Sequence, residues 1–305
     1  MPHSLHTTAA QLIASVWGEE AGPDPVLVVD RRGTCLWRVE TRTGPFALKI
    51  TTPCPDPQGH VDSERLALVE AELLLALAAD NTLTGLYEAH GTLADQEGSW
   101  LALRWVGGDD AEAAFAKLRH QPDPRTAATL AATMCEAVAD LHAGGWRHGD
   151  LQDAHFILDG TRAQLLDFAM AHAPDRTPGS GPVTYRGAYD WFMSPELAQA
   201  RLTTTPAEDL PLTTASEVWS LCAVIYACWT GTYPISTKTT TQSTPELRTE
   251  LASGHWKPWE TTRPWQYPAF EEIITSGLRL DPAQRPTARD LQHAFEHAAA
   301  TTEPQ

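Results

Sequence analysis

Two acidic motifs near the middle of this 305-residue chain constrain its fold more than any other feature. The first reads His148-Gly149-Asp150-Leu151, and the second reads Leu165-Leu166-Asp167-Phe168. Between them, Asp159-Gly160 predicts a tight turn that joins two short strands into a hairpin. Because the strands of a hairpin return side by side, we expect the carboxylates of Asp150 and Asp167 to lie close together.

Further motifs occur in an order that, with these two, resembles the protein kinase family. The two acidic motifs are similar to the kinase catalytic loop and metal-binding turn. The others resemble the lysine strand, the end of the activation segment, a large-lobe helix and an arginine turn. They are Phe46-Ala47-Leu48-Lys49-Ile50, Met193-Ser194-Pro195-Glu196, Glu217-Val218-Trp219-Ser220-Leu221 and Asp281-Pro282-Ala283-Gln284-Arg285-Pro286. The resemblance also implies a structural ion pair between Glu196 and Arg285.

The resemblance implies an α+β, two-lobed protein-kinase-like fold. A small β-rich N-lobe with one key helix would precede a larger, mainly helical C-lobe. The implied boundaries are a lead-in at 1–24, the N-lobe and hinge at 25–106, the C-lobe at 107–298 and a tail at 299–305. Local patterns predict strands at 26–29, 35–40 and 45–50, two more within 83–106, and helices over 63–79 and 126–141.

Lys49 is the residue that the resemblance places on the α- and β-phosphates of ATP, held by a glutamate from the following helix. That helix is predicted over residues 63–79, where apolar residues recur at helical spacing. Glu70 is the preferred partner because apolar residues four and seven positions later share its core-facing side. Glu72 and Glu64 are the alternatives, and Glu72 is expected to face solvent.

Asp150 and Asp167 carry the chemistry that the resemblance implies, which is ATP-dependent phosphoryl transfer. Asp150 would accept the proton of the attacking hydroxyl or orient that hydroxyl, and Asp167 would bind Mg²⁺ at the nucleotide phosphates. Five residues after Asp150, where the family has a metal-binding asparagine, this chain has His155. A neutral imidazole ligates divalent cations but suits Mg²⁺ poorly. His155 therefore indicates a one-metal site, a preference for Mn²⁺ or a lost metal.

The remaining nucleotide contacts come from the predicted hinge and from a turn between strands. Backbone groups of Arg104, Trp105 and Val106 would bind the adenine edge, and Leu103 would be the gatekeeper at the back of that pocket. The loop over the phosphates should contain three glycines, and only Gly33 is available here.

Positions on the acceptor side depart from the family pattern. Gly149 stands where the family has an arginine, so activation through a phosphate-arginine pair is not expected. Gln152 replaces a lysine that would face the transferring phosphoryl group, and Tyr189 replaces a threonine that contacts this lysine. The two losses together predict a rebuilt acceptor site. Candidates for phosphorylation in the same segment are Ser180, Thr184 and Tyr185.

Composition argues against several other classes of protein. The formal charge of −17, from 22 basic and 39 acidic residues, argues against binding to nucleic acids or to anionic membranes. The five cysteines show no spacing suited to zinc. The sequence has no recognisable signal peptide and no apolar run near the ~20 residues that a membrane span requires. A cytoplasmic enzyme is therefore expected.

Three interpretations of function stay open at this point. The first is an active, atypical bacterial kinase that phosphorylates Ser or Thr of a protein or peptide, favoured by Lys49, Glu70, Asp150 and Asp167. The second is a pseudokinase that acts as a scaffold or allosteric partner, favoured by the incomplete glycine loop, Gln152 and His155. The third is a biosynthetic kinase that acts on a small molecule or a ribosomal precursor peptide. Binding of ATP with Mg²⁺ or Mn²⁺ would separate the first from the second.

Overall fold

The chain separates into two compact units in the computed structural model. The first comprises Met1–Val106 with Asp175–Val183, and the second comprises Gly107–Pro174 with Thr184–Gln305. The residues that the structure describes are 2–22, 24–31, 33–54, 63–94, 97–173, 179, 184–187, 189–235 and 244–302.

The first unit is built on a five-stranded antiparallel sheet with the strand order β1-β2-β3-β5-β4. Its strands are β1 (Val26–Arg31), β2 (Thr34–Thr41), β3 (Gly44–Thr51), β4 (Tyr87–Thr92) and β5 (Ser99–Arg104). Two α-helices accompany the sheet, α1 (Pro2–Val16) and α2 (Leu66–Ala79). The sequence predicted three of these strands at 26–29, 35–40 and 45–50, with turns between them, and two more within 83–106.

Helix α1 belongs to the core of the first unit, where the sequence predicted an amphipathic lead-in. Ala9, Ile13 and Trp17 recur every four residues, which places them on one side of the helix and the residue after it. All three are buried in one cluster with apolar side chains of the sheet. The rings of Trp17 and Phe46 lie 5.3 Å apart. The segment is therefore a packed helix.

The start of α2 is attached to the sheet by two buried hydroxyl groups. The first N–H groups of a helix have no partner within it, and here those of Ala67 and Leu68 donate to side chains of two strands. The acceptors are Thr51 Oγ1 and Ser99 Oγ, each at 3.3 Å. Both hydroxyls are almost fully buried. These bonds fix the helix that carries Glu70 against the strand that carries the lysine.

The second unit is mainly helical. Its helices are α3 (Ala111–His120), α4 (Pro124–Ala143), α5 (Pro195–Thr203), α6 (Thr214–Thr230), α7 (Thr244–Ser253), α8 (Trp259–Thr262), α9 (Pro268–Gly277) and α10 (Ala288–Thr301). Helix α4 packs against α10, and α6 packs against α3 and α9. Thr213 and Ser216 form a capping box at the start of α6. Among the helices of the described residues, none combines the length and apolar character that a membrane span requires.

A three-stranded sheet in the second unit contains the predicted hairpin. Its strands are β6 (Asp109–Asp110), β7 (Phe156–Leu158) and β8 (Ala163–Leu165), in that spatial order. Asp159 Oδ1 accepts hydrogen bonds from the N–H groups of Thr161 and Arg162, which closes the turn. The catalytic-loop motif precedes β7 and Asp167 follows β8, as the sequence predicted.

The end of the second unit differs from the predicted boundary. The tail was expected from residue 299, but α10 continues to Thr301. Alanine has the highest helix propensity, so the run of alanines at 298–300 extends the helix. Residues 303–305 lie outside the described part of the chain. A β-sheet unit followed by a mainly helical unit confirms the predicted α+β, two-lobed fold.

Candidate active site

In the first unit, Lys49 and Glu70 form an ion pair. The distance from Lys49 Nζ to Glu70 Oε2 is 2.7 Å, and the two side chains are 12% and 1% exposed. Strand β3 supplies the lysine and helix α2 supplies the glutamate. The structure therefore brings together the expected pair, with Glu70 as the partner. A carboxylate this deeply buried is stable only when a cation or strong donors accompany it.

The predicted nucleotide-binding residues of the first unit lie in the β2 turn and at the end of β5. Gly33 has a φ of +76°, and an added Cβ would come within 2.5 Å of the Thr52 carbonyl oxygen. The turn thus requires glycine for its own packing. Leu103 is buried in β5. The N–H groups of Arg104 and Trp105 donate to carbonyls within the unit, so an adenine edge would meet their carbonyls or Val106.

In the second unit, Asp150 is held by Gln152. The Nε2 atom of Gln152 lies 3.0 Å from both carboxylate oxygens of Asp150. Only 18% of the Asp150 side chain is exposed. A neutral amide therefore orients this carboxylate in the absence of the lysine that the family pattern places there. The amide supplies the hydrogen bonds but adds no positive charge.

His148 has a structural role in the catalytic loop. Its side chain is fully buried, and its ring lies 4.9 Å from that of Phe168. Burial lowers the pKa of His148, which keeps the imidazole neutral. The carbonyl oxygen of Leu166 lies 3.0 Å from Nε2 and the N–H of Asp150 donates to Nδ1. The proton therefore belongs on Nε2, and the ring fixes the backbone at Asp150.

The side chains of His155 and Asp167 are two potential metal ligands that point toward each other. His155 Nδ1 lies 2.9 Å from the Asp150 carbonyl oxygen, which can only accept, so Nδ1 carries a proton. In the neutral ring this leaves a lone pair on Nε2, and Nε2 lies 3.7 Å from Asp167 Oδ2. Nitrogen and oxygen lone pairs at this separation fit a divalent cation between them.

The described part of the protein offers few ligands for a metal ion near His155 and Asp167. Among the described residues, no group of three or more His, Cys, Asp or Glu side chains is arranged to hold a metal ion. Mg²⁺ ordinarily takes one or two protein carboxylates and completes its shell with water and substrate phosphates. Asp167 itself has a left-handed backbone, with a φ of +61°. Such conformations are uncommon for residues other than glycine and often occur at functional sites.

The segment before α5 contains residues whose positions the sequence did not reveal. Tyr185 was a candidate for phosphorylation, but it is buried and its hydroxyl donates to the Gly149 carbonyl oxygen at 3.0 Å. Thr184 is half-buried, and Ser180 lies outside the described residues. Tyr189 is 39% exposed, and its hydroxyl lies 2.7 Å from that of Tyr233. Where the family pattern has a threonine, this chain therefore has Tyr189, which is bonded to Tyr233.

The predicted ion pair between Glu196 and Arg285 is formed. Two guanidinium nitrogens of Arg285 lie 2.6 and 2.8 Å from the two carboxylate oxygens of Glu196. The guanidinium also donates to three backbone carbonyls and lies over the ring of Trp219. The pair connects the start of α5 to the turn before α10, which is a structural role.

A sheet unit with a buried lysine-glutamate pair, and a helical unit with two aspartates around a hairpin, define the protein kinase class. Residues 39–296 match the family model described as the protein kinase domain. The chain therefore belongs to the protein kinase family.

Curated relatives agree with this assignment. The chain is 29% identical over 199 residues to the serine/threonine-protein kinase RUNKEL of Arabidopsis thaliana, covering 64% of this chain and 13% of that protein. It is 28% identical over 181 residues to the serine/threonine-protein kinase PkaA of Streptomyces coelicolor, covering 58% and 30%. A calcium and calcium/calmodulin-dependent serine/threonine-protein kinase of Lilium longiflorum is 27% identical over 207 residues, covering 66% and 36%. The matches thus span less than half of each relative.

Proposed function

We propose that this chain transfers the γ-phosphoryl group of ATP to a serine or threonine hydroxyl of a protein or peptide. The observation that carries the proposal is the buried ion pair between Lys49 and Glu70. Burial of two charges costs several kcal/mol of desolvation, and hydrophobic residues of similar volume would avoid that cost. Retention of the pair supports a continuing use for a cation at this position, which is the binding of nucleotide phosphates.

Each group that matches a family motif has a proposed role in the reaction. Lys49, held by Glu70, orients the α- and β-phosphates of ATP. Asp150 accepts the proton of the attacking hydroxyl or orients that hydroxyl. Asp167 and His155 hold the metal ion, which when bound neutralises charge on the phosphates. The residues proposed to surround the rest of the nucleotide are Gly33, Leu103, Arg104, Trp105 and Val106.

The geometry around Asp150 supports an active enzyme of unusual composition. Gln152 and His155 differ from the family pattern, yet both bond to Asp150, through its carboxylate and its carbonyl respectively. Substitutions that preserve the orientation of a carboxylate are consistent with continued selection on it. A protein scaffold without phosphoryl transfer is the second candidate, favoured by the turn at Gly33, where packing alone accounts for the glycine.

Nucleotide binding gives a direct test of this proposal. The melting temperature of the full chain is expected to rise by several degrees with ATP and Mg²⁺ or Mn²⁺, because ligand at ~100 times Kd adds about 2.7 kcal/mol of stability. The Asp167→Asn variant is expected to lose the metal-dependent part of the shift. Radiolabelled transfer to a Ser/Thr peptide library then tests the reaction itself. The absence of a shift with either metal would favour the scaffold.

The choice of metal tests the role proposed for His155. Imidazole nitrogen suits Mn²⁺ better than Mg²⁺, so kcat/KM for ATP is expected to be higher with Mn²⁺. The His155→Asn variant replaces this nitrogen by an amide that offers oxygen. The ratio of the Mn²⁺ rate to the Mg²⁺ rate is expected to fall roughly tenfold, at the low end of effects for residues around a metal. The exposed His172, changed to Asn, is the control, and equal ratios in all three proteins would contradict the assignment.

A further inference from the structure

Gly149 cannot be replaced by a larger residue in this backbone. Its φ is +80°, and an added Cβ would lie 2.3 Å from the Met170 carbonyl oxygen and 3.1 Å from the carbonyl carbon. Backbone atoms cannot move aside as the end of a flexible side chain can. The arginine that the family pattern places here is therefore excluded by the local geometry, and with it the usual receiver of an activation-segment phosphate.

The peptide groups around Gly149 are held by two buried side chains instead. Glu217 Oε1 accepts from the Gly149 N–H at 2.7 Å, and Glu217 Oε2 lies 2.8 Å from His142 Nε2. On the other side, the Tyr185 hydroxyl donates to the Gly149 carbonyl oxygen at 3.0 Å. That carbonyl and the N–H of Asp150 belong to one peptide group. Tyr185 therefore fixes the orientation of the peptide plane that joins Gly149 to Asp150, the proposed catalytic aspartate.

Tyr185 lies in the segment that precedes α5, and its backbone is bonded to the loop between α5 and α6. Its N–H donates to Asp209 Oδ1 at 2.6 Å, and its carbonyl accepts from the Leu210 N–H at 2.8 Å. Burial, with the nearby carboxylates of Glu217 and Asp150, raises the pKa of the Tyr185 phenol far above its ordinary value. The hydroxyl thus keeps its proton and acts as a donor. One side chain connects the activation segment to the catalytic loop.

We propose that Tyr185 is a positioning residue that holds the catalytic loop through the Gly149 carbonyl, so that activity needs no phosphate on the activation segment. This inference rests on the proposed function. A phosphate on that segment would have no arginine at position 149 to receive it. The phenol supplies a permanent, uncharged connection between the same two segments, and the buried hydroxyl is not available as a phosphoryl acceptor in this conformation.

The Tyr185→Phe variant tests the connection because it keeps the ring and removes only the donor. Loss of a hydrogen bond worth about 1 kcal/mol is expected to lower kcat roughly fivefold to tenfold, with KM for ATP within about twofold. Tyr226→Phe is the matched control. Tyr226 is also buried, and its hydroxyl bonds to the Lys257 carbonyl and to Thr262 in the same unit. If the hydroxyl of Tyr185 had only a structural role, kcat would fall alike in both variants. Instead, kcat of Tyr226→Phe is expected to stay near the wild-type value.

Two further measurements make the result decisive. Phosphatase-treated wild type, shown by mass spectrometry to carry no phosphate, is expected to keep its kcat. Amide hydrogen exchange is expected to accelerate at residues 149–150 in Tyr185→Phe and to stay unchanged there in Tyr226→Phe. An unchanged kcat and exchange in Tyr185→Phe, or activity that depends on phosphorylation, overturns the inference. If the wild type transfers no phosphoryl group, the proposed function fails, and the anchoring by Tyr185 is decided by the exchange measurement alone.

Discussion

Replacement of Asp150 by asparagine is expected to lower kcat by about two to four orders of magnitude, the usual contribution of a positioned acid or base. Both oxygens of Asp150 accept from the amide of Gln152. Asparagine turns one of them into an NH₂ group, which would face another donor. The variant therefore loses the carboxylate that accepts the proton and also one of the two hydrogen bonds that orient the side chain. ATP binding is expected to change by no more than about twofold.

Asp153 provides the control for this substitution. It lies in the same loop, three residues later, and its carboxylate is partly buried with a pKa raised by desolvation. The Asp153→Asn variant is expected to keep kcat within about twofold, since uncharged asparagine suits a site that disfavours the anion. Steady-state phosphoryl transfer at saturating ATP measures both variants. A kcat for Asp150→Asn within tenfold of wild type would show that another group performs the chemistry.

The Glu196→Ala variant is expected to lower the free energy of unfolding by about 3–5 kcal/mol, because it leaves a buried cation without its counter-charge. The side chain of Arg285 is 0% exposed, and that of Glu196 is 29% exposed. After the substitution, the guanidinium keeps its three backbone carbonyls but no carboxylate. The melting temperature is expected to fall by roughly 10 °C. Calorimetry or circular dichroism measures the shift.

The control for Glu196 is an exposed pair in the same unit. Arg289 and Asp140 also form an ion pair, with side chains that are 40% and 59% exposed. Exposed pairs contribute about 0–1 kcal/mol, so Asp140→Ala is expected to change stability little. If the two alanine variants were equally stable, the buried guanidinium of Arg285 would find sufficient solvation elsewhere, and the structural role assigned to Glu196 would be wrong.

Local sequence patterns predicted the parts of the fold that depend on neighbouring residues. The hairpin between Asp150 and Asp167 followed from two short apolar runs around Asp159-Gly160. The resemblance to the kinase family implied a glutamate partner for Lys49, and helical spacing then selected Glu70 from the glutamates of α2. The hairpin and the choice of Glu70 needed only residues within a few turns of the chain.

Contacts between distant segments were not predictable in the same way. Helix α1 carries no motif, and its amphipathic pattern did not indicate which surface its apolar side covers. Tyr185 is an ordinary tyrosine in a loop until Gly149, 36 positions earlier, is placed beside it. The sequence indicated that an arginine was missing at Gly149. It did not indicate the Met170 carbonyl that excludes any side chain there.

Helix α1 lies outside the family match but inside the buried core of the first unit. The recognisable family match begins at residue 39, in the middle of β2. A protein shortened to that match would lose α1, β1 and half of β2, and would present Phe46, Leu48 and Ile50 to water. Contiguous apolar surface of this kind promotes self-association. A stable fragment is therefore expected to begin well before residue 39, because α1 and the sheet share one buried apolar cluster.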